Sequence, residues 1–301
     1  MQIKSPYSNQ SFDFPSPAKI NLFLHIVGRR KNGYHNLETL FQFLDYGDTL
    51  TIKITENGKL NLHPAIDGIK NEDNLIIKAA SLLKSVSQCE FGADISINKV
   101  LPMGGGLGGG SSNAATVLLA LNTLWKCNLT QDDLVTLGLS LGADVPVFIR
   151  GFSAFAQGVG EQLSPAFPQE SWYLVSKPRC SISTQTVFTH SDLKRNSETL
   201  TATNKQQKDF SDDIFDTPYR NDCQDLVINN YSEVAKLMAW LIEYAPSRMT
   251  GTGACIFSRL TSYDEALSLQ KKLPLGVTSF VAKGVNKSPL CFAIEQLKIL
   301  N

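Results

Sequence analysis

The chain has 301 residues, of which 43% are hydrophobic and 19% charged, and its 28 basic residues balance its 28 acidic residues. This length usually exceeds what one hydrophobic core organises, so we expect two domains, and the zero net charge gives no indication of a nucleic-acid surface or a basic membrane patch. The N-terminal segment lacks an apolar stretch of signal-peptide length, no apolar run could cross a bilayer, and the six cysteines lack the spacing of a zinc site or a disulfide framework, which together favour a cytoplasmic protein with free thiols.

The first predicted elements are two extended segments joined by a turn. Apolar and polar residues alternate over residues 16–28, which predicts a strand with one buried face. Asn32 and Gly33 then indicate a turn. Residues 41–54 return as extended chain, and we expect Gly47 to interrupt them.

A helix and a strand come next along the chain. Apolar residues at helical spacing predict a helix over residues 71–86, with Asn71 or Asp73 as its N-cap. Residues 93–102 alternate as a strand, and Pro102 ends it.

Two helices are predicted beyond the glycine-rich segment that follows this strand. The first covers residues 111–125 and has Ser111 or Ser112 available as its N-cap. Thr130 and Asp133 have the spacing of a capping box for the second helix, and a glycine ends it.

The middle of the chain is predicted to be extended. We expect strands over residues 145–151 and 153–164, and a strand over residues 172–178 opens the second domain. From His190 to Tyr219 the chain is polar, which predicts a long and partly mobile excursion over the surface.

The last third mixes helices with strands, which predicts an α+β arrangement for the second half. The helices are predicted over residues 232–245 and 262–273, a glycine-rich turn leads into a strand over residues 249–260, and a further strand covers residues 278–285. We place the domain boundary after residue 165, so that residues 1–165 and 166–301 form the two domains.

The segment between the strand at 93–102 and the next helix contains six glycines among the seven residues from Gly104 to Gly110. Glycines contribute no side chains to packing, and each costs about 0.5–1 kcal/mol relative to alanine when it is ordered. Their bare N–H groups, with the unpaired N–H groups and positive dipole end of the following helix, form an anion site suited to phosphate. The alternative is a flexible loop that binds no ligand.

Two other sequence patterns that bind phosphate fit the glycine run less well. The Walker A pattern requires Lys followed by Ser or Thr after its last glycine, whereas Gly110 is followed directly by serines. The pattern G-x-G-x-x-G does fit Gly104, Gly106 and Gly109. However, a second helix is predicted where a dinucleotide-binding fold needs a parallel strand that ends in an acidic residue, so we rank that fold lower.

Three motifs in this order resemble those of one enzyme family. PMGGGLGGGSSNAA resembles the glycine-rich motif of the GHMP small-molecule kinases, SPAKINLFLHI their first motif and MTGTGACIF their C-terminal glycine motif. The resemblance implies a two-domain α+β fold, with an N-terminal domain like that of ribosomal protein S5 and a ferredoxin-like C-terminal domain. It also implies an active site between the domains. It is weakest over residues 194–219, to which we assign no function.

The resemblance further implies ATP as phosphoryl donor, accompanied by Mg²⁺, which prefers oxygen ligands and neutralises phosphate charge. Asp144 would be the catalytic base and Lys19 the cation that orients it; from the residues alone, a surface aspartate and a solvent-facing lysine remain open. No protein residue is assigned as a metal ligand. The residues implied to bind ATP are Asn74, Leu75, Lys99, Pro102, Met103, Gly104, Gly105, Gly106, Leu107, Gly108, Gly109, Gly110, Ser111 and Ser112.

The acceptor substrate is implied to be an alcohol that carries a cytidine nucleotide. Tyr34 would stack on the base and His35 would bond its polar edge, while Asn21, Thr184 and Phe188 complete the pocket. In the C-terminal motif, two glycines would let the second domain approach the phosphates.

The main hypothesis is therefore ATP-dependent phosphorylation of the 2-hydroxyl of a cytidine diphosphate-linked methylerythritol, a step of the non-mevalonate isoprenoid pathway. Two alternatives remain: a GHMP kinase that acts on another small alcohol, and a non-catalytic nucleotide-binding regulator. We expect no nucleic-acid or membrane partner, and either a monomer or a homodimer.

Overall fold

Two long antiparallel strands organise the fold: β1 (Ser11–Arg29) and β2 (His35–Thr55), which pair along most of their length. The computed structural model describes Tyr7 and residues 10–66, 68–200 and 214–299. The alternating pattern predicted one buried face for β1, but both faces are buried through its centre. The reason is that helices from both halves of the chain pack against β1, and its apolar side chains also enter clusters formed with strands and loops of the second half.

The remaining elements of the first half are short strands and helices. They are β3 (Leu60–His63), a 3₁₀ turn (Asn71–Asp73), α1 (Leu75–Ser87), β4 (Gly92–Asn98), α2 (Gly109–Leu124), α3 (Gln131–Leu141), α4 (Val145–Arg150), β5 (Ala154–Gly158) and β6 (Gln162–Pro165). The capping box predicted for α3 is confirmed, because Thr130 and Asp133 each bond the other's backbone N–H.

The described elements of the second half are strands paired in one sheet and the helices packed on them. They are β7 (Trp172–Lys177), α5 (Thr184–Thr189), α6 (Gln224–Asn230), α7 (Ser232–Ile242), β8 (Ser247–Met249), β9 (Ile256–Leu260), α8 (Tyr263–Gln270), β10 (Thr278–Val285) and α9 (Pro289–Ile299).

The strands join in the order β3-β4-β2-β10-β7-β9-β8, with β1 and β5 also paired to β2 and β6 paired to β5. All of these pairs are antiparallel except β3 with β4. Strand β10 touches β2 only at its end and otherwise runs along β7, so it links the sheets of the two halves. This mixture of helices and largely antiparallel sheet confirms the predicted α+β class.

Three apolar clusters hold these layers together. The first lies between β1–β5 and helices α1–α4, and the second lies among β7–β9 and helices α6–α8. The third fills the space between the halves. The last helix, α9, returns to the first cluster through Leu290, Ile294 and Leu297. The boundary after residue 165 stays a prediction, and α9 shows that the second half of the sequence completes the core of the first.

Gly47 does not interrupt its strand, because β2 continues through it to Thr55. A Cβ atom on Gly47 would lie 2.2 Å from the carbonyl oxygen of Ser16 on the neighbouring strand. The pairing register shifts just beyond, between Pro17 and Lys19. The glycine therefore permits close approach at a β-bulge rather than ending the strand.

The predicted caps of two helices were wrong by a few residues. Helix α1 is capped by Asn74, whose Oδ1 accepts the N–H of Ile76 at 2.9 Å, while residues 71–73 form the preceding 3₁₀ turn. Helix α2 begins after Gly108, at φ +70°, and has no side-chain cap. Its two serines lie in the first turn, where Ser112 is buried and accepts a hydrogen bond from the Ser16 hydroxyl at 3.0 Å.

Residues 145–150 form a helix rather than the predicted strand. The first five of these residues are apolar and buried, and periodicity cannot separate a short buried helix from a buried strand. Pro146 lies in the first turn of this helix, where its fixed φ and missing N–H are tolerated.

The prediction of a surface excursion from His190 to Tyr219 holds for most of the residues that the structure describes, which are exposed or half-buried, but a few side chains enter the core. Leu200 and Tyr219 are buried in the cluster between the halves, and Leu193 is buried in the second cluster. Because the segment has few apolar residues, its polar composition concealed that these few enter the core. Residues 201–213 of this predicted excursion lie outside the described residues.

Candidate active site

A cavity of about 550 Å³ lies where the glycine run, β1 and the loop around Gly251 meet. It is lined by predicted catalytic, ATP-binding and acceptor-binding residues, namely Lys19, Asn21, Asn74, Leu75, Lys99, Pro102, Met103, Gly104, Gly105, Gly106, Leu107, Gly108, Gly109, Gly110, Ser111, Asp144, Thr184 and Phe188. Three predicted residues do not line the cavity: Ser112 is buried and bonds Ser16, His35 stacks on Phe188, and Tyr34 has 62% of its surface exposed. The fold thus brings together segments that are distant in sequence.

The glycine run turns sharply and delivers the N-terminus of α2 to the cavity. Gly104, Gly106 and Gly108 have positive φ values of 63°, 74° and 70°, a region that side chains disfavour. The N–H groups of the first helical turn have no intrahelical acceptor, and the helix dipole is positive at this end. This end of α2 can therefore hold an anion.

The glycines also serve a packing function that the sequence interpretation had excluded. A Cβ atom on Gly106 would lie 2.2 Å from the carbonyl oxygen of Thr250, and one on Gly105 would lie 2.6 Å from Sγ of Cys255. The N–H of Ala254 donates to the carbonyl of Gly104 at 3.1 Å. The run is therefore held against the C-terminal glycine motif by backbone contact, with no room for side chains between them.

Lys19 and Asp144 form an ion pair at the floor of the cavity, with 3.3 Å between Nζ and Oδ2. The lysine side chain is only 3% exposed, whereas that of Asp144 is 36% exposed and faces the cavity. Nζ also donates to Oδ1 of Asn21 at 2.6 Å and to the carbonyl of Gly106 at 3.1 Å. A solvent-facing role for this lysine is excluded, because its ammonium group is buried and connects the carboxylate to the glycine run.

Hydrogen bonds from its backbone and its side chain hold Asn21, which in turn holds the ammonium group of Lys19. Its backbone N–H donates to the Thr250 hydroxyl at 2.9 Å and its Nδ2 donates to Oγ1 of Thr39 at 2.9 Å. The Thr250 hydroxyl in turn reaches the carbonyl of Gly106 at 3.2 Å. The two halves of the chain thus share one hydrogen-bonded network around Lys19.

Lys99, which lines the cavity, is held by Asp48. The distance between Lys99 Nζ and Asp48 Oδ2 is 2.5 Å, and the carboxylate is fully buried. Asp48 also accepts the N–H groups of Val100 and Leu101 at 2.9 and 2.8 Å and an amide hydrogen of Asn113 at 3.0 Å. One carboxylate therefore ties β2 to the chain entering the glycine run and to helix α2.

Another part of the cavity wall is formed by Phe188, Thr184 and Thr252. The imidazole of His35 stacks on the Phe188 ring, with 5.2 Å between centroids and 24° between planes. Burial, together with the positive charges of Arg195 and Arg29, lowers the pKa of His35. The hydroxyl groups of Thr184 and Thr252 are 3.0 Å apart.

Sequence reasoning missed Asp48, Thr250, Thr252 and Arg195. Asp48 lies beside Gly47 on β2, and the two threonines lie within the C-terminal glycine motif. The neighbouring glycines could therefore have identified these three residues as candidates. Arg195 lies in a polar segment without any recognisable motif. Its position depends on folding that brings together residues 160 apart.

The donor set around the cavity suits oxygen-preferring cations. Among the described residues, no three His, Cys, Asp or Glu side chains cluster to hold a metal ion. Asp144 and Ser111 do line the cavity with a carboxylate and a hydroxyl. These groups fit a Mg²⁺ ion that takes most of its ligands from phosphate oxygens and water.

No helix within the described ranges is both long and apolar enough to cross a membrane. The six cysteines are all unpaired. Burial raises the pKa of Cys255, beneath the glycine run, to about 12, so this thiol is held in its neutral form.

Residues 74–152 match the model of the GHMP kinases N terminal domain. A 4-diphosphocytidyl-2-C-methyl-D-erythritol kinase from Colwellia psychrerythraea is 63% identical over 97% of this chain and 96% of its own length. A crystal structure of 4-(cytidine 5'-diphospho)-2C-methyl-D-erythritol kinase has a TM-score of 0.77 and 28% identity, covering 91% of this chain and 99% of that one. A mevalonate kinase structure shares the fold, with a TM-score of 0.64 at 14% identity over 92% of this chain and 99% of that one.

Proposed function

The chain belongs to the 4-diphosphocytidyl-2-C-methyl-D-erythritol kinases, within the GHMP kinases, and on this premise we propose its substrate and the roles of its residues. It is an ATP-dependent phosphotransferase. Its acceptor is 4-diphosphocytidyl-2-C-methyl-D-erythritol, whose 2-hydroxyl receives the γ-phosphoryl group of ATP in the non-mevalonate isoprenoid pathway. The observation that carries the proposal is the ion pair between buried Lys19 and the cavity-facing Asp144, beside the backbone N–H groups of the glycine run.

In the proposed reaction, Asp144 is the base. The oxygen of the acceptor 2-hydroxyl forms a bond with the γ-phosphorus as the bond from that phosphorus to the β–γ bridging oxygen breaks. ADP leaves with that oxygen, and the hydroxyl proton passes to the Asp144 carboxylate. Asp144 is suited to this role because it is the exposed partner of the pair, while buried Lys19 holds it in place. The transition state is loose, so positioning and charge stabilisation dominate catalysis.

We propose that the phosphates of ATP lie against the glycine run, where the first-turn N–H groups of α2 and the hydroxyl of Ser111 face the cavity. The buried hydroxyl of Ser112 acts indirectly, through its bond with Ser16. Asn74, Leu75 and Lys99 line the side proposed for the nucleoside.

Mg²⁺ would enter with ATP, held by the phosphates with Asp144 and Ser111 as the available protein oxygens. When bound, it would neutralise phosphate charge. The protein's own contribution is the backbone cradle and the ammonium group of Lys19.

The acceptor base is proposed to lie near Phe188 and His35, with Asn21 and Thr184 toward the reacting end. Tyr34 is a weaker candidate than the sequence suggested, because its ring is exposed and does not line the cavity. It would have to turn inward to stack on a base.

The acceptor is tested by steady-state assays with 4-diphosphocytidyl-2-C-methyl-D-erythritol, mevalonate and homoserine at equal concentrations. We expect kcat/KM to be highest for the first by orders of magnitude. A clear preference for mevalonate or homoserine would contradict the proposal and favour another GHMP kinase activity.

We also propose a cytoplasmic location, which the six unpaired cysteines support because oxidising compartments favour disulfides. Oligomeric state stays a prediction, either monomer or homodimer, and sedimentation at several protein concentrations tests it.

A further inference from the structure

A single guanidinium group holds the chain that carries Phe188, one of the residues of the cavity wall. Arg195 donates from Nε to Nε2 of His35 at 3.0 Å. From Nη1 it donates to the carbonyl of Leu193 at 2.9 Å, and from Nη2 to the carbonyls of Phe188 at 3.1 Å and His190 at 2.5 Å. The planar guanidinium thus has an acceptor at each nitrogen, a geometry that lysine cannot reproduce.

The bond to Arg195 fixes the protonation of His35. Nε must donate its hydrogen, so Nε2 of the imidazole carries a lone pair and the ring proton is on Nδ1. Nδ1 makes no hydrogen bond to the described part of the chain, and it is not among the buried polar atoms that lack partners. The Nδ1–H group is therefore open to solvent or ligand.

The charges around this ring favour the same neutral state. Burial lowers the pKa of His35 most, followed by the nearby guanidinium groups of Arg195 and Arg29. Protonation at Nε2 would place an N–H group against the donor of Arg195. The ring thus stays neutral near pH 7.

Phe188 connects this arrangement to the cavity. Its ring lines the cavity and stacks on His35, and its carbonyl accepts from the same guanidinium. Arg195 consequently sets both the orientation of the imidazole and the backbone that carries its stacking partner.

We propose that Arg195 is a positioning residue for the acceptor, which holds His35 as the neutral Nδ1–H tautomer stacked on Phe188 and so preforms the wall that receives the nucleobase. This inference rests on the proposed function for its substrate but not for its tautomer. Arg195 touches neither the glycine run nor the Lys19–Asp144 pair in the described contacts, so it should affect acceptor binding rather than phosphoryl transfer.

The tautomer is tested first, without any substrate, by long-range ¹H–¹⁵N correlation spectra of the ¹⁵N-histidine-labelled protein. His35→Phe identifies the His35 signals among the four histidines. We expect the unprotonated nitrogen to correlate with both carbon-bound ring protons, as Nε2 does. A ring protonated on Nε2, or a doubly protonated ring at pH 7, would overturn the proposal.

The positioning role is tested by a double-mutant cycle of Arg195→Met and His35→Phe. Each single variant should raise KM for the acceptor by about tenfold, as expected for one hydrogen bond to a charged group, with kcat and KM for ATP within about twofold of wild type. The KM of the double variant for the acceptor should be close to that of whichever single variant has the higher KM, because both changes remove the same interaction. Independent effects that multiply would show that Arg195 only supports the loop, and would refute the proposal.

Arg195→Lys guards against a folding artefact in Arg195→Met. Lysine retains the charge and can reach the loop carbonyls but has no donor at the position of Nε. It should keep the wild-type Tm and still raise KM for the acceptor; full wild-type KM in a well-folded Arg195→Lys protein contradicts the role. If wild-type protein does not phosphorylate the acceptor at all, the proposed substrate fails, whereas the spectra judge the tautomer separately.

Discussion

The two ends of the cavity are built by different means. One end, proposed to bind the phosphates and called the phosphate end below, is built by contact between backbone segments. There the glycine run packs on the C-terminal glycine motif, and Lys19 is fixed by three partners within 3.3 Å. The other end, proposed to bind the acceptor and called the acceptor end below, depends on side chains. There the guanidinium group of Arg195 holds His35 against Phe188, and Tyr34 is largely exposed. At the first end the backbone contact leaves no space for added side chains, whereas at the second end the exposed Tyr34 ring has room to change rotamer.

This difference matches the chemistry that each end is proposed to perform. Phosphoryl transfer requires the donor phosphates and the base to be placed before reaction, since positioning supplies most of the catalysis. The acceptor wall has to admit and release a large ligand, which a movable aromatic side chain permits. Substitutions at the phosphate end should therefore lower turnover or stability, and those at the acceptor end should weaken acceptor binding.

The largest expected effect is on turnover, in Asp144→Asn. The substitution keeps the size of the side chain but removes the proton acceptor, so kcat should fall about 10²–10⁴-fold. ATP affinity, measured by calorimetry, should stay within a few-fold of wild type. Asp132→Asn is the matched control, because Asp132 pairs with Arg150 on the exterior and is 82% exposed. Unchanged turnover in Asp144→Asn would favour a non-catalytic regulator.

The next effect tests whether the phosphate end is rigid because of close packing. Gly106→Ala combines a positive φ of 74° with a Cβ contact of 2.2 Å to the Thr250 carbonyl, whereas Gly33→Ala has a positive φ of 89° with no atom within 4 Å. Gly33→Ala should lower the free energy of unfolding by about 1 kcal/mol from strain alone, and Gly106→Ala by about 3 kcal/mol or more. Equal losses of Tm would show that packing against Thr250 does not matter.

The same contrast explains which features the sequence could predict. The glycine run, the ion-pair residues and the C-terminal glycine motif are local patterns, and each reached the cavity as predicted. Asn74 was expected to contact the nucleoside and does line the cavity, yet its role as the cap of α1 was missed because neighbouring Asn71 and Asp73 fitted a cap equally well.

Features that depend on packing between distant segments could not be predicted from the sequence. Residues 145–150 form a helix whose first five residues are buried in the apolar core, and no periodicity in six residues reveals this. Arg195 acts on His35, 160 residues away, from within a segment without a motif. The two buried faces of β1 likewise require the second half of the chain to be in place.

A smaller effect tests the link between the phosphate end and the sheet. Asp48→Asn removes the charge that holds Lys99 and weakens the acceptors for Val100 and Leu101. We expect KM for ATP to rise about tenfold, consistent with the loss of a hydrogen bond to a charged group, while KM for the acceptor changes less. Asp94→Asn, on the adjoining strand, removes a carboxylate that bonds Asn61 and should leave both constants unchanged. A rise confined to the acceptor KM would contradict this assignment.

The smallest effect concerns pH at the acceptor end. Burial and the charges of Arg195 and Arg29 lower the pKa of His35, so its neutral form persists in the folded protein below the unfolded value of about 6.5. The stability that this neutral ring contributes is present above pH 6.5 and is lost as pH falls through the lowered pKa. In Arg195→Met one of these charges is absent, so the acid limb of the acceptor KM should move to higher pH. Comparing the two proteins over pH 5 to 8 cancels titration of the substrates themselves. A limb that stays in place, or moves to lower pH, would mean that the guanidinium group does not govern the protonation of this histidine.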